Sequence, residues 1–323
     1  MSARPSAAVV IPGWNSLRHL ARCLASVEEQ GGDVELMVVD NGSSDGSVAF
    51  LEEKGVPHVA LPRNTGFAAA VNLGAQRTRA PAILALNADT VLEPGCLAAL
   101  VAALEESPSL GGVQPLILQL EGGDLQQEGG EDTEPPRVYS AGQALTADGR
   151  GIELAAGEVR GPQHLTRREV FGACGAACLL RRELFDRLGG YDESYFAFCE
   201  DVDLNVRARI GGWGFELVPE AVVWHVGNAT WQSGFSNPGA DNARLVARNR
   251  LATQVKFMPP GAIPRIAAVE VGALAKAARQ RRFVATARGK LEALRRWGQL
   301  REERRNLRQA GDPGAARAWL GRR

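Results

Sequence analysis

Over its first 120 residues the chain alternates short apolar runs with stretches of helical spacing, and this constrains the fold more than any other feature. AAVVIPGWN (7–15), VELMVVDNG (34–42), HVALPRN (58–64), PAILALNAD (81–89) and GVQPLILQL (112–120) read as strands. Between them, Ser16 stands before Leu17, Leu20, Leu24 and Val27 at helical spacing. SVAFLEEKG (47–55), GFAAAVNLGAQRT (66–78) and PGCLAALVAALEES (94–107) also read as helices. Strands that alternate with helices imply a doubly wound, mostly parallel α/β sheet.

From Glu121 to about Gly161 the period dissolves into Gly, Glu, Asp and Pro, which suits loops and short strands laid over one face. Order resumes in REVFGACGAACLLRRELFDRLGGYDE, an apolar strand running into a short helix that ends at Gly189-Gly190. A helix marked by Leu204, Val206 and Ile210 then starts near Glu200, and FELVPEAVVWHVG supplies closing strands. After about Asn237 the chain is mostly helical, rich in Arg and Ala. The pattern divides it into a sheet-bearing domain, 1–236, and a basic helical extension, 237–323.

The net charge of zero conceals a polarity. From Lys256 onward there are 17 Lys/Arg against five Asp/Glu, so the remainder is strongly acidic. In KLEALRRWGQLREERRNLRQ the residues Leu291, Leu294, Trp297 and Leu300 fall on or near one helical face, beside many Arg. Such an end suits either a solvated helical hairpin with Arg outside and Ala/Leu inside or peripheral contact with an anionic membrane, and no nucleic-acid partner is expected. The apolar run IAAVEVGALA is broken by Glu270 and falls short of the roughly 18 residues a membrane span needs. MSARPSAAVVIPGWN lacks the apolar core of a signal peptide. The five cysteines form no CxxC pair, so reduced thiols are expected. The expected location is the cytoplasm, peripheral to the inner face of the membrane; the oligomeric state stays open.

Ligands of an open α/β sheet bind at the carboxyl ends of its strands. The first strand ends in Pro12-Gly13-Trp14-Asn15, the second in Asp40-Asn41-Gly42-Ser43-Ser44-Asp45-Gly46, the third in Arg63-Asn64, and the fourth in Asn87-Ala88-Asp89. Taken singly, each has an ordinary explanation as a turn or a helix cap. Together, acid, amide and Arg along one edge are what a nucleotide diphosphate with a divalent cation requires.

VVIPGWN, VVDNGSSDGS, LPRNTGFAAAVNLGAQ, LALNADT, GGYDESYFAFCEDVDLNVRARIGGW and VPEAVVWHVG follow one another over about residues 7 to 230. In this order they resemble the family-2 inverting glycosyltransferases of the GT-A fold, most closely the rhamnosyltransferase-like branch. The resemblance implies transfer of a sugar, with inversion and with Mg²⁺ or Mn²⁺, from a nucleotide diphosphate to a glycan or lipid-linked glycan of the bacterial cell envelope. A dTDP-sugar such as dTDP-L-rhamnose is the favoured donor, with UDP- or GDP-sugars as alternatives.

The same resemblance sets Pro12, Trp14, Asn15, Asp40, Asn41, Arg63, Asn64 and Asn87 beside the donor, with Asp40 at its base or ribose. Asp89 matches the last acid of the family's metal-binding D-x-D, whose first acid is here Asn87, so the metal draws less charge from the protein. His225 matches a position that completes the metal or diphosphate site. Glu200-Asp201 matches the family's E-D pair, with Asp201 as general base and Glu200 touching acceptor or donor sugar. The chemistry needs such a base, because an acceptor hydroxyl must lose its proton as it attacks.

Asp203 lies four residues before Arg207, the spacing of a helical ion pair. Cys174 and Cys178 in FGACGAAC read as packing, as do Phe67 and Trp213, while Trp14 lies close to the base pocket. His19, His58 and His164 read as core or surface residues. Two other functions remain open: a non-catalytic nucleotide-sugar-binding scaffold, and a sugar nucleotidyltransferase. The latter class usually opens with a Gly-rich loop and a basic residue, where this chain has IPGWN.

Overall fold

The structure is a computed structural model that describes residues 5–120, 135–226 and 238–322. Its first half runs β1 (Ala7–Gly13), α1 (Leu17–Glu28), β2 (Val34–Asp40), α2 (Ser47–Glu53), β3 (His58–Ala60), α3 (Phe67–Gln76) and β4 (Ala82–Leu86). β5 (Thr90–Leu92), α4 (Cys96–Glu106) and β6 (Leu110–Gln119) follow. Next come the short strands β7 (Val138–Ser140), β8 (Gln143–Leu145), β9 (Gly151–Glu153) and β10 (Arg168–Glu169). β11 (Ala177–Arg181), α5 (Arg182–Leu188), α6 (Glu200–Ile210) and β12 (Gly214–His225) complete the sheet region. Beyond it lie α7 (Pro238–Phe257), α8 (Ile263–Arg279), α9 (Phe283–Arg295), α10 (Trp297–Ala310) and α11 (Pro313–Arg317).

The central sheet has the order β10-β12-β6-β11-β4-β1-β2-β3. Its apolar strands are buried on both faces, and alternate residues serve two cores. In β4, Ala82, Leu84 and Leu86 pack into the core that includes α1 and α4, while Ile83 and Ala85 pack into the one that includes α3 and α5. β1 divides in the same way: Val9 and Ile11 join the first core, Val10 the second. Each fully buried Leu or Ile contributes roughly 1.5–3 kcal/mol. α3 rides close on β1, since a Cβ at Gly74 would lie 2.3 Å from a Val10 methyl.

Strands β1 to β4 pair in parallel, as the alternation implies. β11 departs from that pattern and runs antiparallel between β4 and β6. The reversal has a use. A parallel strand brings its last residues to the carboxyl edge, whereas β11 brings its first, so the small residues of FGACGAAC meet the edge and Asn87 N–H donates to Ala176 O at 2.9 Å. β5 is a further departure. The chain forms three strand residues directly after Asp89, and Thr90 pairs with His225 of β12.

Part of the loop excursion, residues 121–134, falls outside the described residues. The rest supplies β7 on the flank of β6 and the β8–β9 hairpin. The basic end also differs from its sequence pattern. The helix breaks at Arg296, so Leu291 and Leu294 lie on α9 and Trp297 on α10. Those three side chains are exposed, but Leu300 is buried, so the four do not form one exposed stripe. Among the described residues no helix is long and apolar enough to cross a membrane.

Candidate active site

Two adjoining cavities open along the carboxyl edge. The smaller, about 50 Å³, is lined by Pro12, Gly13 and Trp14 after β1, Asn41 after β2, Asn64, Phe67, and Asn87-Ala88 after β4. The larger, about 280 Å³, shares Phe67 and Asn87 with it and continues past Asp89 and His225 to Glu153, Glu200 and Asp201. An apolar pocket elsewhere, between α6, α7, α10 and α11, is more enclosed but holds almost no room, about 20 Å³.

The loops around the smaller cavity hold one another. Asn41 N–H donates to Gly13 O at 2.7 Å, its side-chain amide donates to Gly66 O at 3.0 Å, and its Oδ1 accepts from Thr65 N at 2.8 Å. Asn64 Oδ1 accepts from Gly66 N at 2.8 Å, a turn that starts α3. Gly66 has φ 95°, and a Cβ there would lie 2.4 Å from Phe196 O, so only glycine fits where this loop meets the one before Glu200.

Asn15, Asp40 and Arg63 line neither cavity. Asn15 Oδ1 accepts from Ser44 N at 2.9 Å and its N–H donates to Ser43 Oγ at 2.8 Å, so it knits two loops together. Asp40 is buried; its Oδ1 accepts from Gly42 N and Ser43 N, and its Oδ2 has no partner among the described residues. Arg63 is exposed.

On one wall of the larger cavity, β5 and β12 bring Asp89 and His225 together. Val226 N donates to Asp89 O at 3.1 Å, His225 Nε2 lies 3.2 Å from Asp89 Oδ1, and Asn87 Nδ2 lies 3.3 Å from the same nitrogen. The Tyr139 ring meets the imidazole edge to face at 4.5 Å. Burial raises the Asp89 carboxyl, but the His225 charge and hydrogen bond, with a smaller contribution from His19, outweigh it and hold Asp89 below the usual range. A carboxylate, an imidazole and an amide meeting on a cavity wall fit a divalent cation whose remaining ligands are phosphate and water.

The same cavity is also lined by three acids. Asp201 Oδ2 accepts from Gly175 N at 2.9 Å and Gln143 Nε2 at 2.7 Å, and its Oδ1 accepts from Val202 N at 2.8 Å. Burial raises its carboxyl, and these hydrogen bonds only partly counter that. Glu200 is buried with Oε2 unpartnered among the described residues; burial, then Asp201, pushes it up to about 8. Glu153 accepts from Ser140 Oγ at 2.5 Å and Gln143 Nε2 at 2.9 Å, and burial with Asp201 pushes it up to about 7.

Gln143 thus spans two carboxylates, and Asn205 Nδ2 donates to its Oε1 at 2.9 Å, fixing which end of the amide faces them. Glu153, Gln143 and Tyr139 come from three-residue strands in the stretch whose sequence lacks a period, so only their residue types could have drawn attention to them.

Cys174 is not simple packing. Its side chain lines the larger cavity, and its Sγ lies within 4.8 Å of carboxylate oxygens of Glu153 and Asp201. That trio is a poor second cation site. Burial and then both acids push the thiol well up, so it stays protonated, and the acids already accept N–H and O–H donors. Cys178 is buried packing on β11. His19 and His164 are buried, and His58 is half-buried. Asp203 pairs with Arg207 at 2.6 Å, as its spacing implies, and also with Lys256 at 2.5 Å.

The family model described as Glycosyl transferase family 2 matches residues 8–189. The N-acetylglucosaminyl-diphospho-decaprenol L-rhamnosyltransferase of Mycobacterium tuberculosis is 31% identical over 237 residues, 64% of this chain and 71% of that protein. An N-acetylglucosaminyltransferase of Rhizobium leguminosarum bv. phaseoli is 30% identical over 229 residues, 67% of this chain and 49% of that protein. Two solved structures share the fold. GalNAc-T7 with UDP, GalNAc and Mn²⁺ matches with TM-score 0.60 at 19% identity, over 79% of this chain and 48% of that one. The mannosyltransferase PcManGT from Pyrobaculum calidifontis with GDP-Man and Mn²⁺ matches with TM-score 0.52 at 16% identity, over 98% and 88%. The chain therefore belongs to glycosyl transferase family 2, as a glycosyltransferase of the rhamnosyltransferase-like branch on a GT-A fold.

Proposed function

We propose that the chain is an inverting, metal-dependent hexosyltransferase. It moves a sugar, L-rhamnose foremost, from a nucleotide diphosphate to a hydroxyl of a glycan or lipid-linked glycan. One observation carries the reading: the Asp89–His225 wall and the Asp201–Glu200–Glu153 wall face a single cleft that adjoins the Trp14–Asn41–Asn64 cavity. We assign the nucleoside to the open edge at the smaller cavity, the diphosphate to the stretch beside Asn87 that both cavities share, and the sugar to the larger cavity. The 1–236 module carries this chemistry, and the 237–323 extension supports it.

Asp201 takes the proton of the acceptor hydroxyl as that oxygen attacks the anomeric carbon. Its carboxylate is held by Gly175 N, Gln143 and Val202 N, so one orientation is fixed before the acceptor arrives. Burial makes it a stronger base than an exposed Asp. Glu200, protonated at neutral pH in the empty site, can donate a hydrogen bond to a sugar oxygen. Asp89 and His225, with Asn87 beside them, hold the cation, and a bound Mg²⁺ or Mn²⁺ would neutralise charge on the departing diphosphate.

The preference for L-rhamnose follows the rhamnosyltransferase relative, whose name also gives a lipid-linked N-acetylglucosaminyl diphosphate as acceptor, while the dTDP carrier is what the motif resemblance implies. The direct test offers dTDP-rhamnose, UDP-sugars and GDP-sugars with Mn²⁺ and a prenyl-diphosphate-linked N-acetylglucosamine. Release of nucleoside diphosphate from one donor, with a product of inverted anomeric configuration by NMR, supports the reading. Pyrophosphate release would make it a nucleotidyltransferase, and donor binding without release would make it a scaffold.

A further inference from the structure

Helix α8 is an apolar helix whose outward side faces no other element among the described residues. Ile263, Ala267, Val271 and Ala275 recur every fourth residue and are all exposed, Ile263 by 59% and Val271 by 68%. Glu270, which interrupts the apolar run in the sequence, is turned inward, where it pairs with Arg250 and Lys290. It is also the only acid between Met258 and Leu291. The ridge therefore carries no negative charge. Where α8 turns into α9, Phe283 and Val284 extend the apolar surface, Val284 being 78% exposed.

Around this ridge stand Arg265, Lys276, Arg279, Arg281 and Arg282, all exposed and none with an ion-pair partner among the described residues. A soluble surface seldom leaves so continuous an apolar ridge bare. Small aliphatic side chains predominate in it, with few of the aromatic anchors that dominate protein interfaces. An apolar ridge rimmed by unpaired cations and free of acids is the composition of a helix that lies in a bilayer interface.

We infer that the outward side of α8 and the start of α9 dock on an anionic phospholipid bilayer. Ile263, Val271 and Val284 enter the boundary between headgroups and acyl chains, and the arginines meet lipid phosphates. Each cation near such a surface adds about fivefold to partitioning, and salt screens the effect. The inference stands on this surface alone, so it holds or fails independently of the proposed chemistry.

The test is co-sedimentation of the full chain with phosphatidylcholine vesicles, with and without phosphatidylglycerol, at low and high salt. Wild type is expected to partition about tenfold or more in favour of the anionic vesicles, falling as salt rises. The double variant Val271→Glu/Val284→Glu is expected to lose about tenfold or more while keeping its circular dichroism, melting temperature and donor turnover. Equal partitioning of wild type on neutral and anionic vesicles overturns the inference. So does a double variant that sediments like wild type, which would put the contact elsewhere. Conversion of a dimer to a monomer by the double variant, with vesicle binding unchanged, would assign the ridge to a second copy of the chain.

Discussion

Asn249 Nδ2 donates to the carbonyl of Phe198 at 2.8 Å, tying α7 to the turn that launches Glu200 and Asp201. The same nitrogen donates to the carbonyls of Tyr195 at 2.9 Å and Ala197 at 2.8 Å. Phe196, Phe198 and Cys199 all have positive φ, between 65° and 70°, without being glycine. Each such residue costs about 1–3 kcal/mol and persists only where neighbours hold it. Here the holder comes from outside the sheet, on a helix beyond the residues that match the family model.

Asn249→Ala is therefore expected to release the turn. kcat should fall about tenfold to a hundredfold and donor KM should change less, because Asn249 bonds to the turn before Glu200 and to neither the Asn41 nor the Asn64 loop. Steady-state kinetics with separate kcat and KM values check this. An unchanged kcat would show that the turn holds its shape without Asn249.

Glu200, whose Oε2 has no partner among the described residues, gives the protein a pH signature. Its folded value of about 8 lies above the ordinary 4.5, so its contribution to stability is fully present below about 4.5 and is lost as pH rises through about 8. Glu153, at about 7, acts in the same direction. Melting temperature is thus expected to decline from pH 5 to pH 8, and Glu200→Gln, an uncharged stand-in, should flatten that decline. Scanning calorimetry at several pH values reads the difference.

Lys256 joins α7 to the body through Asp203 at 2.5 Å, Asp192 at 2.9 Å and Glu303 at 3.2 Å. Burial alone would lower its amine, but Asp203 foremost, then Tyr195 and Asp192, raise it well above its usual range. Lys256→Met leaves the buried Asp203 with Arg207 alone and strips Asp192 of its cation, and is expected to cost about 3 kcal/mol in chemical denaturation. A double-mutant cycle with Asp203→Asn should report a coupling of about 1–3 kcal/mol.

Asp89→Ala should abolish Mn²⁺ binding in the presence of a nucleoside diphosphate, measured by the electron paramagnetic resonance of the free ion. His225→Ala should weaken it about tenfold to a hundredfold. Binding that survives in Asp89→Ala would make Asp89 a structural acid paired with His225.

Much of this was legible in the sequence for a physical reason. Strands buried on both faces must be largely apolar, so β1, β4 and β6 stand out, and the polar residues that end β1 and β4 mark the edge where ligands bind. Asp89 is found by that route, and Asp201 and His225 by their place in the order of motifs. The contacts between these residues are not. His225 reaches Asp89 only through pairing of the three-residue β5 with β12, and Glu153 reaches Asp201 through Gln143, across strands too short to show a period. Asn15 and Asp40 carry a second role that their residue types do not announce: both hold loops at the edge, while Asp40 Oδ2 is left without a partner among the described residues. Local sequence does not say which carboxylate or amide spends its lone pairs on backbone.

The central claim is that Asp201 removes the acceptor proton, and turnover of Asp201→Asn at saturating donor and metal tests it most directly. Asparagine keeps the shape and cannot take the proton, so kcat is expected to drop about 10²–10⁴-fold with donor affinity retained. A kcat within tenfold of wild type would contradict the account.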